Sequence, residues 1–164
     1  MSSSEASKTW LSQDAHDRLQ AELDELIANR PVIAAEINAR REEGDLRENG
    51  GYHAAREEQG RHEHRIRYLQ ELLRTAQVGD APNADKVAPG TVVTIHFEDD
   101  AADTETFLLG SREIAATTDL TVYSPESALG KSILGAGPGQ TVTYSAPSGA
   151  DIKVTVMEVA TFTG

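Results

Sequence analysis

Two apolar stripes of helical period flank a charged, glycine-rich break, and that pairing leaves few folds open. Before the break, Leu19, Leu23, Leu26, Ile33 and Ile37 recur at spacings of three, four or seven, which puts them on one helix face. After it, Ile66, Leu69, Leu73 and Ala76 alternate spacings of three and four, the a/d seam of a coiled coil. Read upstream, the same seam passes through Ala55, Gln59 and His62, so it turns polar toward the break. The pattern predicts an antiparallel helical hairpin with residues 44–51 at its apex. Ser12 is the expected N-cap of the first helix, with Leu11 before it as a staple residue. Pro31 should kink that helix or remove one hydrogen bond. A helix from 12 to 44 would run about 48 Å at 1.5 Å per residue, a rod built to reach. Trp10 reads as a packing residue near its base.

The period changes after residue 79. Residues 80–90 are rich in Gly, Pro, Asp and Asn and read as a linker. Strand-like runs follow at 91–97, 104–110, 120–124, 141–145 and 152–159, separated by the turn-forming EDDAAD, PGQ and PSGAD. The segment ESALGKSIL offers a short helix. The expected fold class is therefore α+β: a helical hairpin over 1–79, then a small, mainly antiparallel β domain over 91–164. No internal repeat is visible.

Charge narrows the partners. The net charge of −12 opposes a protein that holds duplex DNA by neutralising phosphates, so no independent duplex-DNA binding is expected. Through Val78 there are 11 basic and 15 acidic residues; from Gly79 onward there are 4 and 12. Ten of the eleven arginines precede Gly79, and the acidic second half suits a basic protein surface. No apolar run approaches the roughly 20 residues of a membrane span. The amino terminus, MSSSEASKTW, lacks the basic and apolar regions of a secretory signal, so a cytoplasmic protein without a membrane partner is expected. The absence of cysteine excludes disulfides and thiolate chemistry.

Several motif-like stretches carry no chemistry on inspection. PESALGKS places Pro125 where a phosphate-binding loop needs its first glycine, and GAGPGQ at 135–140 lacks the strand–turn–helix setting of a dinucleotide site and reads as a hairpin turn. His62 and His64 lie about 200° apart around a helix and cannot converge on one metal. His53 and Glu57 can share a face, but two ligands make a weak site. Arg61, Arg65 and Arg67 read as a solvated helix face with Glu63 and Glu71 as partners.

The break itself, GDLRENGGYHAARE at 44–57, admits two readings. Asp45-Leu46-Arg47-Glu48 fits a capping box, with Asp45 capping and Glu48 reaching back, and Asn49-Gly50-Gly51 permits a sharp reversal. Against a purely structural role stands the crowding of Glu42, Glu43, Asp45 and Glu48 at one apex, where they repel one another.

The stretch GDLRENGGYHAAREEQG closely resembles the tip signature of the Gre transcript-cleavage factors of bacterial RNA polymerase, written near GDLKENAEYHAARE. RPVIAAEINARREEGDL resembles its upstream flank, and YSPESALGKSILG the family's SP-x-x-x-G-L-I-G segment. The likeness runs from about Leu11 to Val159 and is nearest the A-type factors in an actinobacterial style. Arg47 replaces a lysine with its charge kept, and Gly50-Gly51 replaces Ala-Glu.

The resemblance implies a coiled coil joined to a domain like the FK506-binding proteins. That domain docks at the rim of the polymerase's secondary channel, near Ser124 and Pro125, while the coiled coil enters the channel. Asp45 and Glu48 then help hold a second Mg²⁺ and orient the water that cuts backtracked nascent RNA, and Arg47 and Arg56 steer that RNA. The factor itself is not an enzyme, because two carboxylates are half a magnesium site at most. Two rivals remain on sequence alone: a channel inhibitor that does not stimulate cleavage, and a coiled coil bearing a peptide-binding or prolyl-isomerase domain.

Overall fold

The computed structural model of the chain describes residues 9–44, 48–79 and 85–163. It divides into two compact units, one of residues 17–75 and one joining residues up to 16 with those from 76 onward.

The first unit is the expected hairpin. Helix α1 (Gln13–Ala28) and α2 (Arg30–Arg41) form its first arm and α3 (Gly50–Thr75) its second. The arms run antiparallel, because partners on α3 fall in number as those on the first arm rise. Glu22 pairs with Arg65 and Arg30 with Glu63; Ile33 and Ile37 cluster with Ala55, with Tyr52 packed against them. Of the first stripe, Leu19, Leu23, Ile33 and Ile37 are buried and Leu26 is half-buried. In α3 Ala55, Ile66 and Leu69 are buried, but the next seam position is taken by Leu72, with Leu73 only half-buried. Two adjacent leucines straddle the seam, and spacing alone does not choose between them.

The effect expected at Pro31 appears as an interruption at Asn29, between the two helices. Pro31 has no N–H to give the carbonyl of Ile27 and its ring crowds that carbonyl, so the ladder opens upstream of the proline itself. Asn29 N still donates to Glu25 O at 3.0 Å and Ile33 N to Asn29 O at 3.1 Å, so the helical course resumes at once. Beside the break lies a hollow of about 400 Å³ lined by Glu22, Glu25, Leu26, Asn29 and His62.

The cross-hairpin ion pairs set register more than stability. Arg65 Nε and Nη2 donate to both oxygens of Glu22 at 2.7 and 2.9 Å, and Arg30 grips Glu63 with two bonds of 2.9 Å. Each guanidinium holds its partner carboxyl below the usual range, chiefly through the hydrogen bond. All four side chains are a third or more exposed, so solvent screens both pairs and they add little to stability. The glutamates expected to serve Arg61, Arg65 and Arg67 have other hydrogen-bonded partners: Glu63 pairs with Arg30 across the hairpin, and Glu71 with Arg74 on its own helix.

Gly60 sits in the middle of α3, exposed, with nothing within 4 Å of an added Cβ. A helix-interior glycine costs about 1 kcal/mol relative to alanine. Gly60→Ala should therefore raise the urea midpoint of unfolding by an amount worth about 1 kcal/mol. A lower midpoint would show that this surface is not open.

The second unit is built on a five-stranded sheet of order β5-β4-β3-β7-β6, from β3 (Thr91–Phe97), β4 (Thr104–Leu109), β5 (Thr121–Tyr123), β6 (Thr141–Ser145) and β7 (Asp151–Thr161). Every pairing is antiparallel except β4 with β5, which is parallel. The chain crosses between those two through a 3₁₀ helix, Arg112–Thr117, started by Ser111 Oγ accepting from Glu113 N at 3.1 Å. Val93, Ile95, Phe107, Leu109, Val154 and Val156 alternate onto one face and are covered by Leu129 and Ile133 of α4 (Ala128–Ile133). The glycine-rich segment after α4 leads from that helix into β6, so it is a helix-to-strand turn and not a hairpin.

Two short strands complete this unit, β1 (Trp10–Leu11) paired in parallel with β2 (Gln77–Val78). Ser12 caps α1 as expected, its Oγ accepting from Ala15 N at 3.2 Å. Trp10 is a packing residue, but of this unit: it is buried and meets Phe162 edge-on at 6.2 Å.

Candidate functional site at the hairpin apex

The apex is assembled from three short pieces. At the end of α2, Glu42 N donates to Asn38 O and Glu43 N to Arg40 O, both at 3.2 Å. Gly44 follows with φ of 144°, a conformation side chains disfavour, and this is where the chain leaves the helix direction. Gly50 and Gly51, expected to supply the reversal, are instead the first two residues of α3. Their lack of side chains serves space at Gly51, where a Cβ would lie 3.3 Å from Arg40 Cδ.

The cap of α3 is Asn49. Its Oδ1 accepts from Tyr52 N at 2.9 Å, and its backbone carbonyl accepts from His53 N at 3.1 Å. Its Nδ2 donates to Arg40 O at 2.6 Å, so the same amide starts α3 and fastens it to the end of α2. The helix therefore starts four residues later than a cap at Asp45 requires. The cap position of α3 is filled by Asn49, not by the residue four places earlier that the capping-box spacing offered.

Glu48 is exposed and, among the described residues, makes no ion pair. With Glu43, Gly44, Asn49 and Gly50 it lines an open, polar hollow of about 320 Å³. Glu43 is partly neutralised by Arg40, whose Nη1 lies 3.7 Å away, while Glu36 lies 3.9 Å from Arg40 Nη2. Arg56 is exposed on α3. Asp45 and Arg47 lie outside the described residues. Among the described residues no group of three or more carboxylate or imidazole side chains comes together as a metal site, and the only carboxylates lining the apex hollow are two glutamates.

Ser124 and Pro125 lie in the other unit, in the turn between β5 and α4. Ser124 O accepts from Ser127 N at 3.1 Å and Ser127 Oγ at 2.7 Å, and Ser127 Oγ accepts from Gly130 N at 3.1 Å. The turn sits on Gly130 so closely that a Cβ there would fall 2.1 Å from Ser124 O. Gly130 and Lys131, the residues that imitated a phosphate-binding loop, belong to the six-residue helix α4. Sequence reasoning missed Asn49 and Gly130; the packing partner of each is remote in sequence or hidden in a turn.

The chain thus combines a helical hairpin that carries exposed carboxylates at its apex with a separate sheet unit that follows it in sequence. Residues 9–78 match the family described as transcription elongation factor, N-terminal, and residues 81–161 the family described as transcription elongation factor, GreA/GreB, C-term. The transcription elongation factor GreA of Saccharopolyspora erythraea is 60% identical over 98% of this chain and 99% of its own. That of Mycolicibacterium smegmatis is 60% identical over 95% of this chain and 96% of its own. The chain belongs to the GreA/GreB family of transcription elongation factors. A solved structure, GreA factor homolog 1 of Thermus thermophilus, covers 93% of this chain and 98% of its own at 21% identity with a TM-score of 0.43, too distant to add to that assignment. No helix among the described residues is long and apolar enough to cross a membrane.

Proposed function

We propose that this chain binds bacterial RNA polymerase, enters its secondary channel apex first, and stimulates the polymerase's own cleavage of backtracked nascent RNA. The observation that carries this reading is the apex: Asn49 caps α3, so capping that helix does not account for the acidity beside Glu48. Family membership supplies the setting of transcription elongation.

Asp45 and Glu48 are the catalytic pair. With the polymerase and the RNA they would hold a Mg²⁺ and orient a water near it. When bound, that ion would supply the positive charge that makes water a nucleophile and offsets charge on phosphate oxygens. The isolated protein holds only part of such a site and should bind Mg²⁺ weakly and cut no RNA. Ser124 and Pro125 form the docking contact on the channel rim, in a turn held by Ser127.

Arg47 and Arg56 steer the extruded RNA. Arg47→Ala with Arg56→Ala should weaken stimulated cleavage by at least about tenfold, since each arginine is proposed to make a charge-assisted contact, while polymerase binding stays near wild type. Their contribution should shrink as salt rises, because exposed charges are screened. Unchanged cleavage in the double variant would return both arginines to ordinary surface roles.

The whole reading is tested by adding the purified protein to a stalled, backtracked elongation complex carrying end-labelled RNA. Shortened RNA that can be extended again supports it. Slowed synthesis without shortening would make the chain a channel inhibitor instead.

A further inference from the structure

We propose that Asn49 is the positioning residue of the apex: its side-chain amide fixes the frame on which Glu48 is presented. The inference rests on the apex being the catalytic end. Starting a helix needs only an acceptor at this position, and Ser or Asp would serve about as well as Asn. Asparagine alone among them adds an N–H donor on the same flat group, and here the donor is used. Nδ2 reaches Arg40 O at 2.6 Å while Oδ1 takes Tyr52 N at 2.9 Å. The orientation of the amide is fixed by these partners, since turning it over would set donor against donor and acceptor against acceptor.

The carbonyl at the other end makes this more than a cap. Arg40 O accepts from Glu43 N at 3.2 Å as well as from Asn49, so one oxygen ties the last turn of α2, the start of the apex loop and the start of α3. The rest of Arg40 is placed by the same junction. Its Cδ lies over Gly51, and its guanidinium lies between Glu36 and Glu43. Glu48 is next in chain to Asn49 and lines the same hollow. Without the Asn49–Arg40 bond the two arms still pair along the hairpin, but the loop that carries the carboxylates is fastened at one fewer point. A group that must orient a water loses rate from small misplacements, far more than a binding surface loses affinity.

The test compares Asn49→Ser, Asn49→Asp and Glu48→Gln in the intact protein, on backtracked elongation complexes, over a range of factor concentrations. Asn49→Ser keeps the cap but cannot reach Arg40. It should show wild-type half-saturation and melting temperature, with cleavage at saturation about tenfold lower. Asn49→Asp, an equally good cap whose oxygen would face the Arg40 carbonyl, should do no better. A serine variant that cleaves like wild type at saturation, while Glu48→Gln does not, overturns the role of Asn49 and leaves the apex reading standing. If neither variant lowers cleavage at saturation, both fall. A serine variant altered only in melting temperature or half-saturation makes Asn49 a structural cap and nothing more.

Discussion

The Asp45→Asn, Glu48→Gln double variant should occupy RNA polymerase as the wild type does, compete with it, and lose most of the stimulated cleavage. Asparagine is as good an N-cap as aspartate, and glutamine serves as well as glutamate at the third position of a capping box. The double variant thus leaves intact any local role these residues have in the turn. The cap of α3 is in any case Asn49, which the substitutions do not touch. What they remove is two anionic oxygens. If those oxygens hold a metal and its water, the loss is several kcal/mol of transition-state stabilisation, on the order of a hundredfold or more in rate. Modest extra Mg²⁺ should not restore it, because the orientation of the water goes with the carboxylates. Normal cleavage by a variant that melts like wild type would leave Asp45 and Glu48 as parts of a turn.

Gly130→Ala should be the most damaging single methyl in the sheet unit. The new carbon would stand 2.1 Å from Ser124 O, 2.9 Å from Ser127 Oγ and 3.1 Å from Pro125 Cα. Two of those three neighbours are backbone, so the β5–α4 turn must move as a whole. Overpacking of this kind costs about 1–3 kcal/mol, and the variant should unfold at a correspondingly lower urea concentration. Trp10, the single tryptophan, packs on Phe162 in the same unit and reports that transition by fluorescence. On the docking role proposed for Ser124 and Pro125, the shifted turn should also raise the half-saturating concentration on polymerase about tenfold. Cleavage at saturation should hold, because the apex is untouched. A loss at saturation with half-saturation unchanged would detach this turn from docking.

The hairpin was legible because its signal is long: stripes of period three and four over about twenty residues on each arm leave little choice of structure. The main strands were legible from alternation bounded by turn residues. What escaped was whatever depends on a partner far away in sequence. β1 and β2 have two residues each, too few to carry a period, and exist because they pair with one another. The parallel pairing of β4 with β5 follows from a crossing through Arg112–Thr117 that alternation does not announce. At the apex the spacing pointed to a cap at Asp45, whereas Asn49, read only as part of the reversal, caps α3. Its bond to Arg40 O, nine residues back, is a contact that spacing does not announce. Pro31 announced a disturbance, but its geometry places the effect upstream, at Asn29.

The central claim is that the apex carboxylates supply part of a magnesium site that the polymerase alone holds poorly. The direct measurement is the cleavage rate of backtracked RNA as a function of Mg²⁺ concentration. It is made for polymerase alone, with saturating wild-type protein, and with the Asp45→Asn, Glu48→Gln variant. The wild type should lower the half-saturating Mg²⁺ concentration severalfold, and the variant should return it to the value for polymerase alone. Faster cleavage with an unchanged Mg²⁺ dependence, or RNA cut by the free protein, would contradict the account.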